Sequence, residues 1–83
     1  MKNEVTTPIR RHMPSIIRRY RDAAGLSQQQ LADHVDVSKG FISALEGGRN
    51  MPNVEMLIRI ANVCGVRPGE MLDALVEAAG KRE

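Results

Sequence analysis

Side chains that could perform catalysis or hold a metal ion are few and scattered in this 83-residue sequence. The histidines, His12 and His34, lack carboxylate and cysteine neighbours at the spacing of metal ligands, and Cys64 is the single cysteine. Ser27 and Ser38 each precede a helical apolar pattern, where a serine is explained as an N-cap. The sequence therefore predicts a protein that is not an enzyme and that uses no metal ion or cofactor.

The remaining candidates for chemistry are basic and amide side chains, which concentrate before residue 50. Residues 1–49 contain eight Lys/Arg against five Asp/Glu, whereas residues 50–83 contain four against five. A basic first half suggests a surface for a polyanion, although a scatter of solvated charges would give the same counts. Contacts to nucleic-acid phosphates are expected from Arg18, Arg19, Arg49 and Asn50.

Short helices must position these side chains within a single domain. Turn residues recur at short intervals, and the segments between them carry apolar residues at helical rather than alternating spacing. Five helices are predicted, the first over Pro14–Ala24 and the others beginning near Ser27, Ser38, Asn53 and Pro68. We expect an all-α domain over residues 13–80, a flexible arm at 1–12 and a tail at 81–83. The inward face of the fourth helix is expected to comprise Val54, Leu57, Ile58, Ala61 and Cys64.

The second and third predicted helices are separated only by Asp36 and Val37 before the cap Ser38. Such a short link forces a sharp crossing, as in a helix-turn-helix unit. Ala32 is small where the two helices would approach each other, and Val37 can fill the gap beneath the turn. The spacing therefore indicates a helix-turn-helix over residues 27–49.

The sequence resembles the phage-repressor/Cro (XRE) type of helix-turn-helix domain from about Ile17 to Leu72. The matching residues are Arg21, Gly25, Leu26, Ser27, Gln28, Leu31, Ala32, Val37, Ser38, Ile42, Ser43, Glu46, Gly48, Pro52, Leu57, Ala61, Gly65 and Val66. Two positions depart from the family pattern: Asp36 replaces a usual glycine in the turn, and Arg67 replaces a usual helix cap. Asp tolerates the left-handed backbone better than most residues, so we expect the turn to survive.

The resemblance implies a compact five-helix, lambda-repressor-like DNA-binding domain, usually a dimer on a pseudo-palindromic operator. In this family the first helix of the motif crosses the DNA backbone and the second enters the major groove. Gln28 matches a phosphate-contacting glutamine, at a helix start where free N–H groups also attract phosphate. Arg21 and Glu46 match a structural ion pair.

The groove-facing side of the third helix carries few long side chains. At 100° per residue, with Ile42 and Leu45 inward, mostly Gly, Ser and Ala point outward. The predicted base-contacting residues are Lys39, Gly40, Phe41, Ser43 and Ala44. Lys39 is the main candidate for guanine O6 and N7, with a phosphate contact as its alternative. Phe41 either touches DNA or packs against the second helix. Direct readout should therefore be sparse, with DNA shape contributing to specificity.

The fifth helix carries an apolar stripe wider than a small core needs. Its residues, predicted to form a homodimer interface, are Met71, Leu72, Leu75, Val76 and Ala79. The alternative is that the whole stripe belongs to the core. A dimer fits the two-fold symmetry of operators.

The predicted function is a sequence-specific, repressor-like transcriptional regulator that binds double-stranded DNA. One alternative is an antitoxin or another partner-binding module, with a cognate toxin as its second partner and autoregulatory DNA binding. Another is a helix-turn-helix fold that has lost DNA binding. No stretch reaches the roughly 18 apolar residues of a membrane span, so we expect no membrane association and a cytoplasmic location.

Overall fold

The computed structural model describes residues 6–80 of the chain, and their side chains from residue 8 onward. These residues form five α-helices and no strand, which confirms the all-α, five-helix prediction. The helices are α1 (Thr6–Ala23), α2 (Gln28–Val35), α3 (Lys39–Glu46), α4 (Val54–Val63) and α5 (Pro68–Gly80). None of them combines the length and the apolar content that a bilayer crossing requires.

Helix α1 begins at Thr6, so the predicted start at Pro14 is wrong. A proline inside a helix removes one backbone donor and crowds an earlier carbonyl. Here the ring of Pro14 lies 3.7 Å from where a Cβ on Gly48 would stand, and the neighbouring Met13 is buried. The helix nevertheless continues through Pro14, which lies inside α1 and next to the α3–α4 loop. Residues 6–12 of the predicted arm, including Arg10 and Arg11, are helical, whereas residues 1–5 and the predicted tail at 81–83 lie outside the described residues.

Local hydrogen bonds fix the starts of α2 and α3 and the turn between these two helices. Ser27 caps α2 by accepting from the N–H of Gln30, whose side chain in return accepts from the N–H of Ser27. Asp36 ends the helix in the left-handed conformation, with φ of 62°, as expected for the residue that replaces the family's glycine. Ser38 then caps α3 by accepting from the N–H of Phe41. These caps fix where each helix begins and therefore the crossing of α2 over α3.

The core is assembled from aliphatic side chains of all five helices. Its largest fully buried side chains are those of Ile17, Leu31, Val35, Ile42, Leu45, Ile60 and Met71. In α4 the predicted inward face is partly wrong, because Val54 and Ile58 are exposed whereas Met56 and Ile60 are buried. The helix contains overlapping apolar stripes at helical spacing, and periodicity alone does not select which stripe faces inward.

Helix α5 packs mainly along α1. Met71 and Leu75 are only 1% and 3% exposed, so their assignment to a dimer interface is corrected: both are core residues. They lie four residues apart and form the inward stripe of an amphipathic helix. Leu72 and Val76 are exposed at 43% and 60%, and Ala79 is half-buried, so these three remain available to a partner.

Candidate nucleic-acid interface

Helix α3 has an inward side that attaches it to the core and an outward side that faces solvent. Ile42 and Leu45 are fully buried and attach the helix to the core. Lys39 and Gly40 are exposed at its N-terminus, and Ser43 and Ala44 are half-buried. The outward side is therefore as poor in long side chains as the sequence predicts. Phe41 is half-buried and packs against the core, which agrees with the packing alternative; base contacts by these residues remain predictions.

The ion pair implied by the resemblance joins α1 to α3. Nε and Nη2 of Arg21 donate to Oε2 and Oε1 of Glu46 over 2.6 and 2.9 Å. Nη1 of Arg21 also donates to the carbonyl of Leu26 over 2.7 Å. The Arg21 and Glu46 side chains are only 10% and 5% exposed. This forked geometry ties α1, the α1–α2 turn and α3 into one unit.

Gln28 belongs to the same network. Its Nε2 donates to Oε1 of Glu46 over 3.0 Å, a bond that no sequence pattern indicates. One of its two amide hydrogens is thus used inside the protein, and the second can donate to another acceptor. Gln28 is the first residue of α2, so its side chain stands beside the free backbone N–H groups of a helix start.

The network also determines the charge states of its members. Burial disfavours the ionised form of Glu46, but hydrogen bonds from Arg21 and Gln28 and the nearby guanidinium charges outweigh it and lower the pKa of Glu46. The hydrogen bond to Glu46 in turn raises the pKa of Arg21 despite its burial. The pair is therefore fully ionised near neutral pH, and Glu46 neutralises Arg21 beneath the basic surface.

A cleft of about 290 Å³ lies between the end of α1, the start of α2 and the end of α3. The residues that line it are Arg18, Arg21, Gln28, Ser43, Glu46, Gly47 and Arg49. It brings together three of the predicted phosphate-contacting residues, namely Arg18, Gln28 and Arg49. Ser43 belongs both to this cleft and to the outward side of α3, so the two surfaces are continuous. We call this feature the arginine cleft.

The other two predicted phosphate-contacting residues lie outside the arginine cleft. Arg19 stands 5.2 Å from the ring centroid of Tyr20 and lines a separate groove of about 600 Å³ between α1 and α5, beside Glu70 and Asp73. Neighbouring residues on a helix point about 100° apart, which is why Arg18 and Arg19 serve different surfaces. Asn50 is exposed in the α3–α4 loop next to Arg49.

The described part of the chain contains no candidate metal site. Residues 6–80 contain no group of three His, Cys, Asp or Glu side chains arranged to hold a metal ion. Cys64 is half-buried, and this burial raises the pKa of its thiol, which disfavours the reactive thiolate.

Comparisons with known proteins agree with this geometry. The sequence pattern of the helix-turn-helix family matches residues 17–71. The chain is 42% identical over 53 residues to an HTH-type transcriptional regulator of Methanothermobacter thermautotrophicus, an alignment that covers 64% of this chain and 77% of that protein. Two crystal structures of the clp gene regulator ClgR from Corynebacterium glutamicum are similar, each at 25% sequence identity. Their TM-scores are 0.79 and 0.78, over 86% and 87% of this chain and 76% and 92% of theirs. The expected class, a regulator and not an enzyme, agrees with these relatives, and the chain belongs to the XRE-type helix-turn-helix family.

Proposed function

We propose that this protein is a transcriptional regulator that binds double-stranded DNA in a sequence-specific manner. The observation that carries the proposal is the continuity between the outward side of α3 and the arginine cleft, through Ser43. A helix that enters the major groove needs phosphate-binding groups beside it, because phosphate contacts set its register and orientation. The regulator relatives among the helix-turn-helix proteins support the same class.

In this proposal the two surfaces have different tasks. Arg18, Gln28 and Arg49 bind the sugar-phosphate backbone and hold α3 in the groove. Lys39, exposed at the first position of α3, donates to guanine O6 and N7. Gly40, Ser43 and Ala44 add little hydrogen bonding but allow α3 to approach the base edges closely. Specificity then depends on Lys39 together with the shape and deformability of the operator.

We further propose that the protein binds a pseudo-palindromic operator as a homodimer. The exposed residues Leu72 and Val76 of α5, with Ala79 beside them, provide an apolar surface for the second copy. The two-fold axis of such a dimer would match the symmetry of two operator half-sites.

The partner-binding alternative is favoured by one observation on the same helix. The groove between α1 and α5 is bordered by the carboxylates of Glu70, Asp73 and Glu77 and also includes Val76. A second protein with complementary charge could cover this part of α5, and the chain would then act as an antitoxin-like module that regulates its own gene. Sedimentation of the purified chain distinguishes the two proposals, because a monomer at tens of micromolar would favour a different partner.

DNA binding is tested by selecting bound sequences from a random pool and titrating the most enriched sequence at several salt concentrations. A dimer that neutralises about eight phosphates should give a slope of log K against log salt near −7. The proposal predicts enrichment of one sequence and this steep slope. No enrichment together with a flat salt dependence would refute DNA binding.

A further inference from the structure

Two adjacent glycines, Gly47 and Gly48, end α3, but only one of them is required by its backbone conformation. Gly48 has a φ of +79°, in the left-handed region that favours glycine. Gly47 has φ and ψ of −92° and −1°, which residues with side chains adopt readily. A reason other than backbone conformation must therefore explain a glycine at position 47.

The space around Gly47 supplies that reason. A Cβ at this position would lie 2.7 Å from Nη1 and 3.5 Å from Cζ of Arg49. The guanidinium of Arg49 therefore lies directly against the bare backbone of Gly47, within the arginine cleft. The nearest backbone atom, the carbonyl oxygen of Ser43, would be 3.1 Å away and would need to shift by only a few tenths of an ångström. An added methyl group would thus displace mainly the end of a flexible side chain.

We propose that Gly47 is a positioning residue for DNA backbone binding, and that its missing side chain provides the seat for the guanidinium of Arg49. This inference rests on the proposed function, since it assigns the ligand of the cleft as a backbone phosphate. A long arginine side chain loses rotamer freedom when it binds, and a side chain already held in place loses less. The bare backbone of Gly47 thereby leaves room for the guanidinium of Arg49 to lie in the arginine cleft, which Arg18 also lines, before DNA arrives.

The test is the Gly47→Ala substitution in the full chain, with affinity for the selected DNA measured at several salt concentrations. We expect the Kd to rise about two- to tenfold for each DNA-bound subunit, the range given by ordering one long side chain, and by the square of that factor for the proposed dimer. The salt slope should become shallower by about 0.9 for each phosphate that the variant no longer neutralises. Gly69→Ala is the matched control, because a Cβ there meets no atom within 4 Å, and it should leave both quantities unchanged.

A double-mutant cycle shows whether Gly47 acts through Arg49. In an Arg49→Ala background, Gly47→Ala should cause no further loss of affinity. If Gly47→Ala lowers the affinity as much in that background as in the wild type, Gly47 acts independently of Arg49 and the inference is overturned. Wild-type affinity and slope for Gly47→Ala alone would overturn it as well.

Arg49→Lys provides a test that does not alter α3. Lysine keeps the charge but lacks the planar guanidinium, so it should weaken binding about as much as Gly47→Ala. If Arg49→Lys binds DNA as tightly as the wild type, charge alone determines the contact, and the proposal that Gly47 accommodates the guanidinium is contradicted. If the wild-type chain selects no DNA, both the proposed function and this inference are refuted. If the wild-type chain binds DNA and the variants bind it with the same affinity, the inference alone is refuted.

Discussion

The Arg21–Glu46 pair should be the largest single polar contribution to the stability of this fold. Replacing Arg21 with Met removes both guanidinium bonds and leaves the Glu46 carboxylate buried, with the amide of Gln28 as its remaining side-chain donor. It also removes the donor to the carbonyl of Leu26. The substitution therefore leaves one buried charge and one carbonyl poorly satisfied.

Removing one partner of a buried ion pair costs roughly 3–5 kcal/mol. A domain of this size has a total unfolding free energy of only about 4–12 kcal/mol. Since 1 kcal/mol shifts the melting temperature of a small domain by about 4–8 °C, we expect Tm to fall by about 12 °C or more. Chemical denaturation followed by circular dichroism gives the corresponding change in free energy.

Two further variants separate the ion pair from other effects of losing an arginine. Arg18→Met removes an exposed guanidinium that stands 3.7 Å from Asp22, with side chains 69% and 59% exposed, and should cost under about 1 kcal/mol. The double variant Arg21→Met with Glu46→Met should recover much of the loss, because the charge is no longer buried alone. The reasoning fails if Arg21→Met costs less than about 1 kcal/mol, or if the double variant is less stable than the single one.

Three other predictions concern pH, base readout and assembly. Folding lowers the pKa of Glu46, so the contribution of its ionised form to the unfolding free energy is complete above the ordinary glutamate pKa of about 4.3 and is lost as the pH falls towards the pKa in the folded state. The wild type should therefore lose more unfolding free energy than Glu46→Gln between pH 5 and pH 3. Equal losses for the two proteins would contradict this prediction. Lys39→Ala should relax the preference for guanine at one operator position by about 1–3 kcal/mol in a base-by-base binding series, and an unchanged preference would exclude direct readout. Val76→Ser, at an exposed position, should shift sedimentation towards monomer, whereas Leu75→Ala, a core truncation, should cost about 2–5 kcal/mol of stability. A Val76→Ser variant that sediments like wild type would argue against this interface.

The elements of this fold that could be predicted from sequence are those with local chemical causes. Ser27, Ser38 and Asn53 are serine or asparagine caps directly before apolar patterns, and each caps a helix in the structure. Features that depend on packing between distant residues could not be predicted this way. Pro14 alone is typical of a helix start, and nothing in its immediate sequence indicates that α1 continues before it to Thr6.

The same distinction between local and packing-dependent features applies to the candidate site. The basic residues and the bare side of α3 could be identified from residue types and helical spacing. Helical spacing alone places Arg18 and Arg19 on different sides of α1, but which of them lines the arginine cleft depends on how α1 packs against the other helices. The bond from Gln28 to Glu46 spans 18 positions and has no local pattern. The sequence gives no indication of the role proposed for Gly47, because a glycine pair after a helix is typical of a helix end.

The division of α3 into anchoring and presented residues has a consequence for changing its specificity. Ile42 and Leu45 hold the helix in the core, whereas a Cβ at Gly40 would meet only the hydroxyl of Ser38 at 3.8 Å. Longer polar side chains at position 40 can therefore be introduced without overpacking the core. Under the proposed function, single substitutions at position 40 should therefore change which DNA sequences the domain prefers, and they need no compensating change in the core.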